Sequence, residues 1–549
     1  MSAFKKVLLP VLAVAVVGGG AAYWFFKGGP TADSSSPAAS AEVVPDEALM
    51  ATFISSDAKG WSQLQQFGTP EAQKLIGQGM QSFQSSMLKG SQLNYDKDLK
   101  PWVGSVMVAV MPSSSGNAQQ SDTLMVVGIK DKVQALTFAN QAKSQPGVKT
   151  QESDYKGVKI SATTQKDQPK STIYSAVLSD RLVLADKKAT IEQAVDTFKG
   201  APSFADKSGA AKLMATGVDV ENPIAQIYLP NYGTSVKQLI ASSPQAAQIP
   251  PQSMQQLDQV ESLVVGVGVD ESGLRLKAKA KAKPQATAMQ YKPVPGKVVA
   301  AFPTETLALV TGQGLKTAWT TMVEQAKDVP QSQVVVDTVR QQLQTVNLDA
   351  DKEVFGWMDG EFGLGAIALN QGVLSSVGFG GVIVLETSDR ATAEATLTKL
   401  DAIAQKNFMR VAQRNVEGKT ITEWKLPQQE SVLGHGWLNQ NSLFIAVGSP
   451  LIDGMTAPAK QPLDQSAAFK TVTGSLAKPN AGYFYLDMDK VMAVMNTSLL
   501  KTQTSAITPE ATAMMNSIRG LGITVTQPDK TTAQVEMLLA LKPKAVSLK

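Results

Sequence analysis

Serine and histidine chemistry is the first function class that the residue pattern can test. A serine followed by a lysine three positions later serves as nucleophile and base in some hydrolases. This spacing occurs at Ser56/Lys59, Ser86/Lys89 and Ser475/Lys478. No Ser-Asp-Asn or Lys-Thr-Gly triplet accompanies these pairs, and the chain has neither a G-x-S-x-G elbow nor a Walker-type phosphate loop. We therefore assign no catalytic residue; a hydrolase would have to use the single histidine, His435.

Metal ligation is restricted by composition, because the chain contains no cysteine and one histidine. Disulfides, thiolate chemistry, iron–sulfur clusters and multi-histidine zinc sites are thereby excluded. The triplets Asn94-x-Asp96-x-Asp98 and Asn347-x-Asp349-x-Asp351 resemble calcium-loop ligands, but the sixth position from Asp349 is Val354 and not glycine. We interpret both triplets as turn and capping sequences that precede a strand. The sequence predicts no metal and no cofactor.

Three methionines near the C-terminus have a spacing that Cu(I) sites also use. Met488, Met492 and Met495 lie at i, i+4 and i+7, on one face of a predicted helix. The same spacing is typical of a helix that packs on a core, where methionine fills irregular gaps. We interpret this group as core packing.

A cationic strand is the only candidate contact surface. In "LRLKAKAKAK" the residues Arg275, Lys277, Lys279, Lys281 and Lys283 alternate with apolar residues. In a strand they share one face, where their mutual repulsion is tolerable only in water. Two hypotheses follow. We favour an exposed or edge strand that its lysines protect from aggregation; the alternative is a strip that contacts anionic lipid or an acidic partner.

Length and charge set limits on the whole chain. Its 549 residues exceed the roughly 250 to 300 that one hydrophobic core supports, so at least two domains are expected. Hydrophobic residues make up 43% and charged residues 18%, which is typical of a folded globular protein. The net charge of +4 is too close to balance for a polyanion binder.

The N-terminus contains a candidate membrane anchor. Val7–Phe26 carries no charge, and 20 helical residues reach about 30 Å, the thickness of a bilayer's hydrocarbon core. Lys5 and Lys6 precede it, which places the N-terminus in the cytoplasm. The alternative is a cleaved signal peptide, with a candidate site at Ala13–Ala15, in the middle of the apolar stretch. We predict an uncleaved signal-anchor helix over residues 1–27.

The location of the remaining chain follows from this anchor. Residues 28–43 are rich in Ser, Ala, Gly and Pro and predict a flexible linker. Everything after them is expected in the periplasm or lumen, with the anchor in a plasma or thylakoid membrane. Membrane is therefore an expected partner and a protein or lipid is possible, whereas no nucleic acid is expected.

The chain repeats itself. Residues 45–61, "PDEALMATFISSDAKGW", align without gaps to 303–319, "PTETLALVTGQGLKTAW". Further matches follow in the same order, including Trp102 with Trp357 and Gly157 with Gly418. The lysines of the cationic strand are not repeated, since the aligned face carries Gln534, Glu536, Leu538, Ala540 and Lys542. We predict homologous units at 44–284 and 297–543, a linker at 285–296 and a tail at 544–549.

Each unit mixes strands and helices without a regular βαβ order. In the first, we predict strands at Ala48–Ile54, Val103–Met111, Thr123–Ile129, Val158–Thr163, Thr172–Leu178, Leu182–Ala185, Ile224–Leu229, Leu263–Val269 and Leu274–Ala282. Helices are predicted near Trp61–Lys89, Lys132–Lys143, Ala189–Phe198 and Ser235–Ser242. Short turns between neighbouring strands indicate antiparallel pairing. The fold class is α+β, with helices packed on extended antiparallel sheets.

The stretch "YDKDLKPWVG" (Tyr95–Gly104), taken with the anchor and the duplication, resembles a family of membrane-anchored, exported bacterial proteins. That family is common in cyanobacteria and has no assigned function. The second unit has "ADKEVFGWMDG" here, without the proline and with two inserted residues. The resemblance implies fold and location and supplies no catalytic residues.

These observations favour a membrane-anchored, extracytoplasmic, non-enzymatic protein that binds, assembles or organises the envelope. The alternative is a carrier, because curved antiparallel sheets under covering helices can enclose a lipid or another hydrophobic ligand. An extracytoplasmic hydrolase is a distant third.

Overall fold

Apolar residues that alternate with polar ones build most of the strands, and the computed structural model shows how these strands pair. It describes residues 36–74, 95–113, 121–143, 148–165, 168–207, 210, 213–214, 217–241, 257–283, 291–327, 330–426, 430–456, 461–497 and 508–544. Internal packing divides the chain into two compact units. The first comprises Met1–Gln65, Gln73–Glu271 and Arg275–Thr287; the second comprises Gln66–Ala72, Ser272–Leu274 and Ala288–Lys549.

Ten of the described strands precede residue 284. They are β1 (Met50–Ile54), β2 (Val103–Pro112), β3 (Ser121–Ile129), β4 (Val148–Tyr155), β5 (Val158–Gln165), β6 (Gln168–Leu178), β7 (Arg181–Ala185), β8 (Pro223–Leu229), β9 (Val260–Asp270) and β10 (Gly273–Ala282). Antiparallel pairs join them in the order β4-β5-β6-β7-β3-β2-β1-β8-β9. A two-residue turn then pairs β9 with β10.

The second unit repeats this order. Its strands are β11 (Thr306–Gln313), β12 (Glu361–Ala368), β13 (Phe379–Glu386), β14 (Arg410–Val416), β15 (Lys419–Lys425), β16 (Ser431–Trp437), β17 (Ser442–Val447), β18 (Tyr483–Asp487), β19 (Ile518–Asp529) and β20 (Thr532–Leu541). They pair antiparallel as β14-β15-β16-β17-β13-β12-β11-β18-β19-β20. Each strand occupies the place that its counterpart has in the first sheet.

Helices connect and cover the strands. The described α-helices are α1 (Pro37–Ala41), α2 (Ala58–Leu64), α3 (Lys132–Lys143), α4 (Lys188–Phe198), α5 (Tyr232–Ala241), α6 (Leu315–Ala326), α7 (Pro330–Gln344), α8 (Arg390–Lys406), α9 (Ser449–Thr456), α10 (Ala467–Thr473), α11 (Met488–Thr497) and α12 (Pro509–Asn516). A π-helical turn precedes β2 at Tyr95–Leu99, and another precedes β12 at Ala350–Val354. With large antiparallel sheets and packed helices, the predicted α+β class is confirmed.

The middle of the first sheet is buried on both faces. All five residues of β7 are buried, so its apolar run does not alternate with polar residues. On one face α4 packs Ile191 and Val195 into the largest core cluster of this unit. On the other, Phe138 of α3 lies against Trp102, with ring centroids 5.2 Å apart. Two cores therefore hold one sheet from opposite sides.

The second sheet is also covered on both faces. Phe302 is fully buried against β12, where Gly363 and Gly365 leave room for its ring. On the opposite face Leu397 of α8 packs with Trp357 and other residues of a smaller cluster. The close approach of an aromatic ring to the backbone is possible here because the strand has no Cβ at these two positions.

The described part of the predicted linker is folded. Residues 36–43 lie within it, but Ser36 caps α1 by accepting a hydrogen bond from Ala39 N, and Ala41 and Val43 are buried in the core of the first unit. Small side chains suit a flexible tether, and equally a helix that packs close to a sheet. In this structure these residues form the packed helix.

Two element predictions in the first unit also need correction. The helix expected over Trp61–Lys89 is interrupted. It ends with α2 at Leu64, a bridge at Phe67 and Gly68 with a φ of +97° follow, and helical structure resumes over residues 70–74. Residues 75–94 of that prediction lie outside the described part. Strand β4 was not predicted, because "VKTQESDY" is exposed at six of its eight positions and has no apolar face.

Within the described ranges, which begin at residue 36, no helix is long and apolar enough to cross a membrane. The predicted anchor at 7–26 lies outside those ranges and stays a prediction.

We predict that Gly365→Ala destabilises the chain by about 2 kcal/mol, because overpacking a core costs roughly that much. A Cβ at this position would lie 2.5 Å from Cε1 of the buried Phe302 ring. Gly381→Ala on the neighbouring strand β13 is the matched control, since a Cβ there meets nothing within 4 Å. Urea unfolding of the two variants checks this; equal midpoints would show that Phe302 adjusts freely.

Candidate functional site

One face of the second sheet carries a continuous row of apolar side chains, which we call the apolar row. Cross-strand pairing places one residue from each of seven strands side by side. In spatial order these are Ile445, Ile383, Leu364, Val310, Phe484, Ile523 and Met537. Directly paired side chains of this kind lie about 5 Å apart and touch one another. The row is therefore one contiguous apolar strip and not seven separate residues.

The centre of the apolar row is open to solvent. Val310 and Leu364, a directly paired couple, are 39% and 40% exposed, and their neighbours in the row are half-buried. Scattered exposed apolar side chains are normal on protein surfaces, whereas contiguous ones mark contact sites. Of the features that the structure describes, this strip is the strongest candidate binding surface.

The first sheet has the same row with a polar centre. Pairing aligns Leu184, Met125, Val108, Thr52, Ile227 and Val265 across six strands. Thr52 occupies the place of Val310 in the ungapped alignment of the two units. A hydroxyl at the centre lowers the apolar character of this strip, so the second unit offers the better apolar surface.

The cationic strand is β10, and the structure does not place its five cations on one solvent-facing side. Arg275 is only 6% exposed and binds Asp270, at 2.7 Å from Nε and 2.6 Å from a terminal guanidinium nitrogen. The prediction was wrong for this residue: a carboxylate at the end of β9 compensates the charge, so the arginine does not need water. Arg275 thus holds the β9–β10 hairpin together.

The lysines of the strand become more exposed towards its end. Lys277 and Lys279 are half-buried, whereas Lys281 and Lys283 are exposed. Lys281 lies 2.8 Å from Glu261 of β9. An anionic-surface contact by these lysines stays a prediction, now confined to the part of the strand beyond Arg275.

His435 is packed in the interior of the second unit. Its ring is 6% exposed on β16, and Nε2 lies 2.8 Å from Oδ1 of Asp401 on α8. The same carboxylate oxygen accepts a hydrogen bond from Nε1 of Trp424 at 2.6 Å. Within the described chain, the ring makes no hydrogen bond to a serine hydroxyl. This arrangement ties α8 to the sheet and gives the histidine a structural role.

The aspartates of the second triplet act as capping and ion-pair residues. Asp349 accepts hydrogen bonds from the backbone N–H groups of Asp351 and Lys352. Asp351 binds two guanidinium nitrogens of Arg340, each at 3.0 Å. It also accepts a hydrogen bond from Nε1 of Trp319, at 2.7 Å. Burial raises the pKa of Asp351, but these hydrogen bonds outweigh it and lower the pKa below its usual value.

The two triplets are not equivalent positions. Nε1 of Trp102 donates to the carbonyl of Asp98, and Nε1 of Trp357 donates to the carbonyl of Glu353, four residues earlier in each case. Asp98 therefore matches Glu353 and not Asp351, and with this pairing no insertion separates the two units between this position and the tryptophan. Among the described residues no group of three or more His, Asp or Glu side chains could hold a metal ion.

The remaining motifs are not assembled into a site. Met492 is buried and its neighbours Met488 and Met495 are half-buried, on α11 beside β18 and β19. Ser56 contacts Ser105, with 3.3 Å between the two hydroxyl oxygens. The pair Ser86/Lys89 lies outside the described residues.

Sequence reasoning missed the apolar row and the partner of His435 for the same reason. The row depends on which residues face each other across six strand pairs, and Asp401 lies 34 positions from His435. The only available signal was the alternation of apolar residues within each strand, which defines a face but not its neighbours.

We predict that Asp270→Asn costs about 3 kcal/mol, because it removes the carboxylate charge that faces the buried guanidinium of Arg275. The control is Lys281→Gln, which breaks an exposed ion pair and changes stability by less than about 1 kcal/mol. Chemical unfolding of the full chain separates the two; an equally small effect of both substitutions would contradict the role of Arg275.

Comparison with known proteins adds a family but no function. No curated protein matches the chain. Among solved structures, crystal form III of TP0453 aligns with 9% identity over 46% of this chain and 81% of that chain, at a TM-score of 0.27. Crystal form IV aligns with 8% identity over 44% of this chain and 79% of that chain, at a TM-score of 0.26. The model of the family described as "Protein of unknown function (DUF3352)" matches residues 7–541, so the chain belongs to this family. Membership of an uncharacterised family is thereby confirmed, and the membrane-anchored, cyanobacterial character stays a prediction.

Proposed function

We propose that this protein is a membrane-anchored, extracytoplasmic binding or assembly protein without enzymatic activity. The observation that carries the proposal is the apolar row, whose paired centre at Val310 and Leu364 is open to solvent. A folded chain that leaves such a strip uncovered loses the free energy of its burial, about 25 cal/mol for each Å² of apolar surface. A ligand or partner that covers the strip recovers it.

The shape of the row favours an extended partner. The five strands that α8 does not cover, from Leu364 to Met537, give a strip on the order of 20 Å long and one side chain wide at a spacing of about 4.8 Å. An amphipathic helix or an acyl chain has this form, and both bury apolar surface along a line. A helix would make the protein an assembly factor, and an acyl chain would make it a carrier.

The proposal gives His435 no catalytic role. Its Nε2 is engaged by Asp401, and the ring is buried between α8 and the sheet. A general base needs to reach the proton of a bound substrate. Asp401 here contacts one indole nitrogen and one imidazole nitrogen at once, which suits a structural role.

We further propose that the two units arose by duplication. Both sheets have the same strand order. Trp102 and Trp357 donate to equivalent carbonyls, and Tyr228 and Tyr485 are fully buried in equivalent strands. Burial raises the pKa of both tyrosines.

Membrane anchoring by residues 1–27 completes the proposal. Its support is the charge-free stretch from Val7 to Phe26, which the match to the family model includes because that match begins at residue 7. The apolar row would then lie in the periplasm or lumen.

The absence of cysteine makes the predicted topology easy to test with single-cysteine variants. V334C introduces a thiol at a position that is 63% exposed on α7, and S2C introduces one before the anchor. In cells with a permeabilised outer envelope, we expect a membrane-impermeant maleimide to label V334C and to label S2C only after lysis. Labelling of V334C only after lysis would contradict the proposed location, and loss of residue 2 from the mature chain would indicate a cleaved signal.

The role of the apolar row is tested by photocrosslinking in the native membrane. A benzoylphenylalanine in place of Leu364 should form adducts, whereas the same residue at Val373, which is 43% exposed outside the row, should not. Val310→Thr, which copies Thr52 of the first unit, should reduce the yield.

Mass spectrometry of the adducts distinguishes the two kinds of partner. A defined protein adduct supports the assembly role, and a lipid adduct supports the carrier. Equal yields at positions 364 and 373 would remove the row as a binding surface.

A further inference from the structure

The C-terminal end of α8 presents an aromatic side chain in an unfavourable conformation. Two hydrogen bonds close the helix: Met409 N donates to Ala404 O at 3.0 Å, and Phe408 N donates to Gln405 O at 3.2 Å. This is the Schellman arrangement, in which the residue at the position of Phe408 adopts a left-handed conformation. Its φ is +64°. Glycine is the usual residue here, because a Cβ collides with the backbone in this region.

Phe408 is also the most exposed large hydrophobic residue in the described part of the chain, at 88%. Packing therefore does not compensate for its conformation. The hairpin alignment that pairs Gly157 with Gly418 places Gly147 of the first unit at the position of Phe408. The second unit thus has an exposed phenylalanine where the first has the residue that the backbone prefers.

Two exposed cations flank this side chain in the sequence. They are Lys406 and Arg410, and neither has an ion pair within the residues that the structure describes. Arg410 lies opposite Lys425 in the β14–β15 ladder, but Lys425 is half-buried and its charge is compensated by Glu423, at 3.0 Å. Leu426, which follows Lys425, is 36% exposed. We call Lys406, Phe408, Arg410, Lys425 and Leu426 the basic tip.

We infer that the basic tip inserts Phe408 and Leu426 into the surface of an anionic lipid bilayer. The apolar side chains enter the boundary between headgroups and acyl chains, and the two exposed cations, Lys406 and Arg410, bind the lipid phosphates. This inference rests on the proposed membrane location of the chain.

A protein partner fits the tip less well. A stable protein interface buries about 800 Å² on each side and is centred on a packed apolar patch. The basic tip has two apolar side chains at the end of a helix and a hairpin. A bilayer needs no matching shape, and each basic residue near its surface contributes on its own.

The inference is tested with the full chain carrying F408C as its single cysteine, labelled with an environment-sensitive fluorophore and reconstituted into vesicles. In vesicles with anionic phospholipid, we expect a blue shift and quenching by nitroxide-labelled lipid. Both signals should be lost in vesicles of phosphatidylcholine alone and at high salt. The matched control is V334C with the same label, which should remain unquenched in either membrane.

Two variants connect the signal to the cations and exclude misfolding. K406Q/R410Q on the F408C background should abolish the quenching. F408G, which restores the residue that the backbone prefers, should raise the melting temperature of the full chain. A lower melting temperature of F408G would contradict the strained placement of Phe408.

The outcomes separate this inference from the proposed function. Vesicle flotation of the full chain without quenching at position 408 overturns the inference and leaves anchoring intact. Failure to float with anionic vesicles overturns both. Equal quenching in neutral and anionic membranes would overturn the role of Lys406 and Arg410 in the inference.

Discussion

The antiparallel pairing of β3 with β7, repeated as β13 with β17, is the contact on which the rest of each unit depends. It joins residues more than 50 positions apart, so a large loop-closure entropy opposes it. The compensation is burial on both faces: every residue of β7 is buried, and helices cover the joint from either side. Without this pair, the β4–β7 meander would have no connection to the strands that carry the apolar row.

The position of the row follows from this constraint. Where α8 covers the second sheet, Ile383 and Ile445 are partly protected by the helix. Further along the sheet, at Leu364 and Val310, exposure rises to 40% and 39%. The proposed binding surface is therefore the part of this face that the covering helix does not reach.

Much of the fold was predictable, because the strands that build the cores have a clear pattern. In β2 apolar residues alternate, and β7 is a short apolar run between turn residues. The errors occur where local sequence and final environment disagree. Residues 36–43 look like a tether yet pack in a core, and "VKTQESDY" has no apolar periodicity because neither face of that strand is covered.

The candidate site was less predictable than the fold. Composition excluded cysteine chemistry and multi-histidine metal sites, and the duplication identified Thr52 as the counterpart of Val310. The row itself depends on strand register across the sheet, which a single sequence does not contain. Arg275 illustrates a related difficulty. Its alternation with apolar residues predicts a side chain exposed to water, whereas in the structure the side chain is buried and paired with Asp270.

The polar outer strand β4 affects whether two copies of the chain can associate through the edges of their sheets. Among the described strands it pairs with β5 alone, and its backbone is flanked by exposed charged residues such as Lys149, Glu152 and Asp154. Neighbouring copies confined to a membrane collide far more often than molecules free in solution, and an apolar edge would let their sheets merge into a fibre. A charged edge makes that merger costly. Growth by strand addition at this edge is thereby disfavoured, also under the crowding that the proposed membrane anchor would impose.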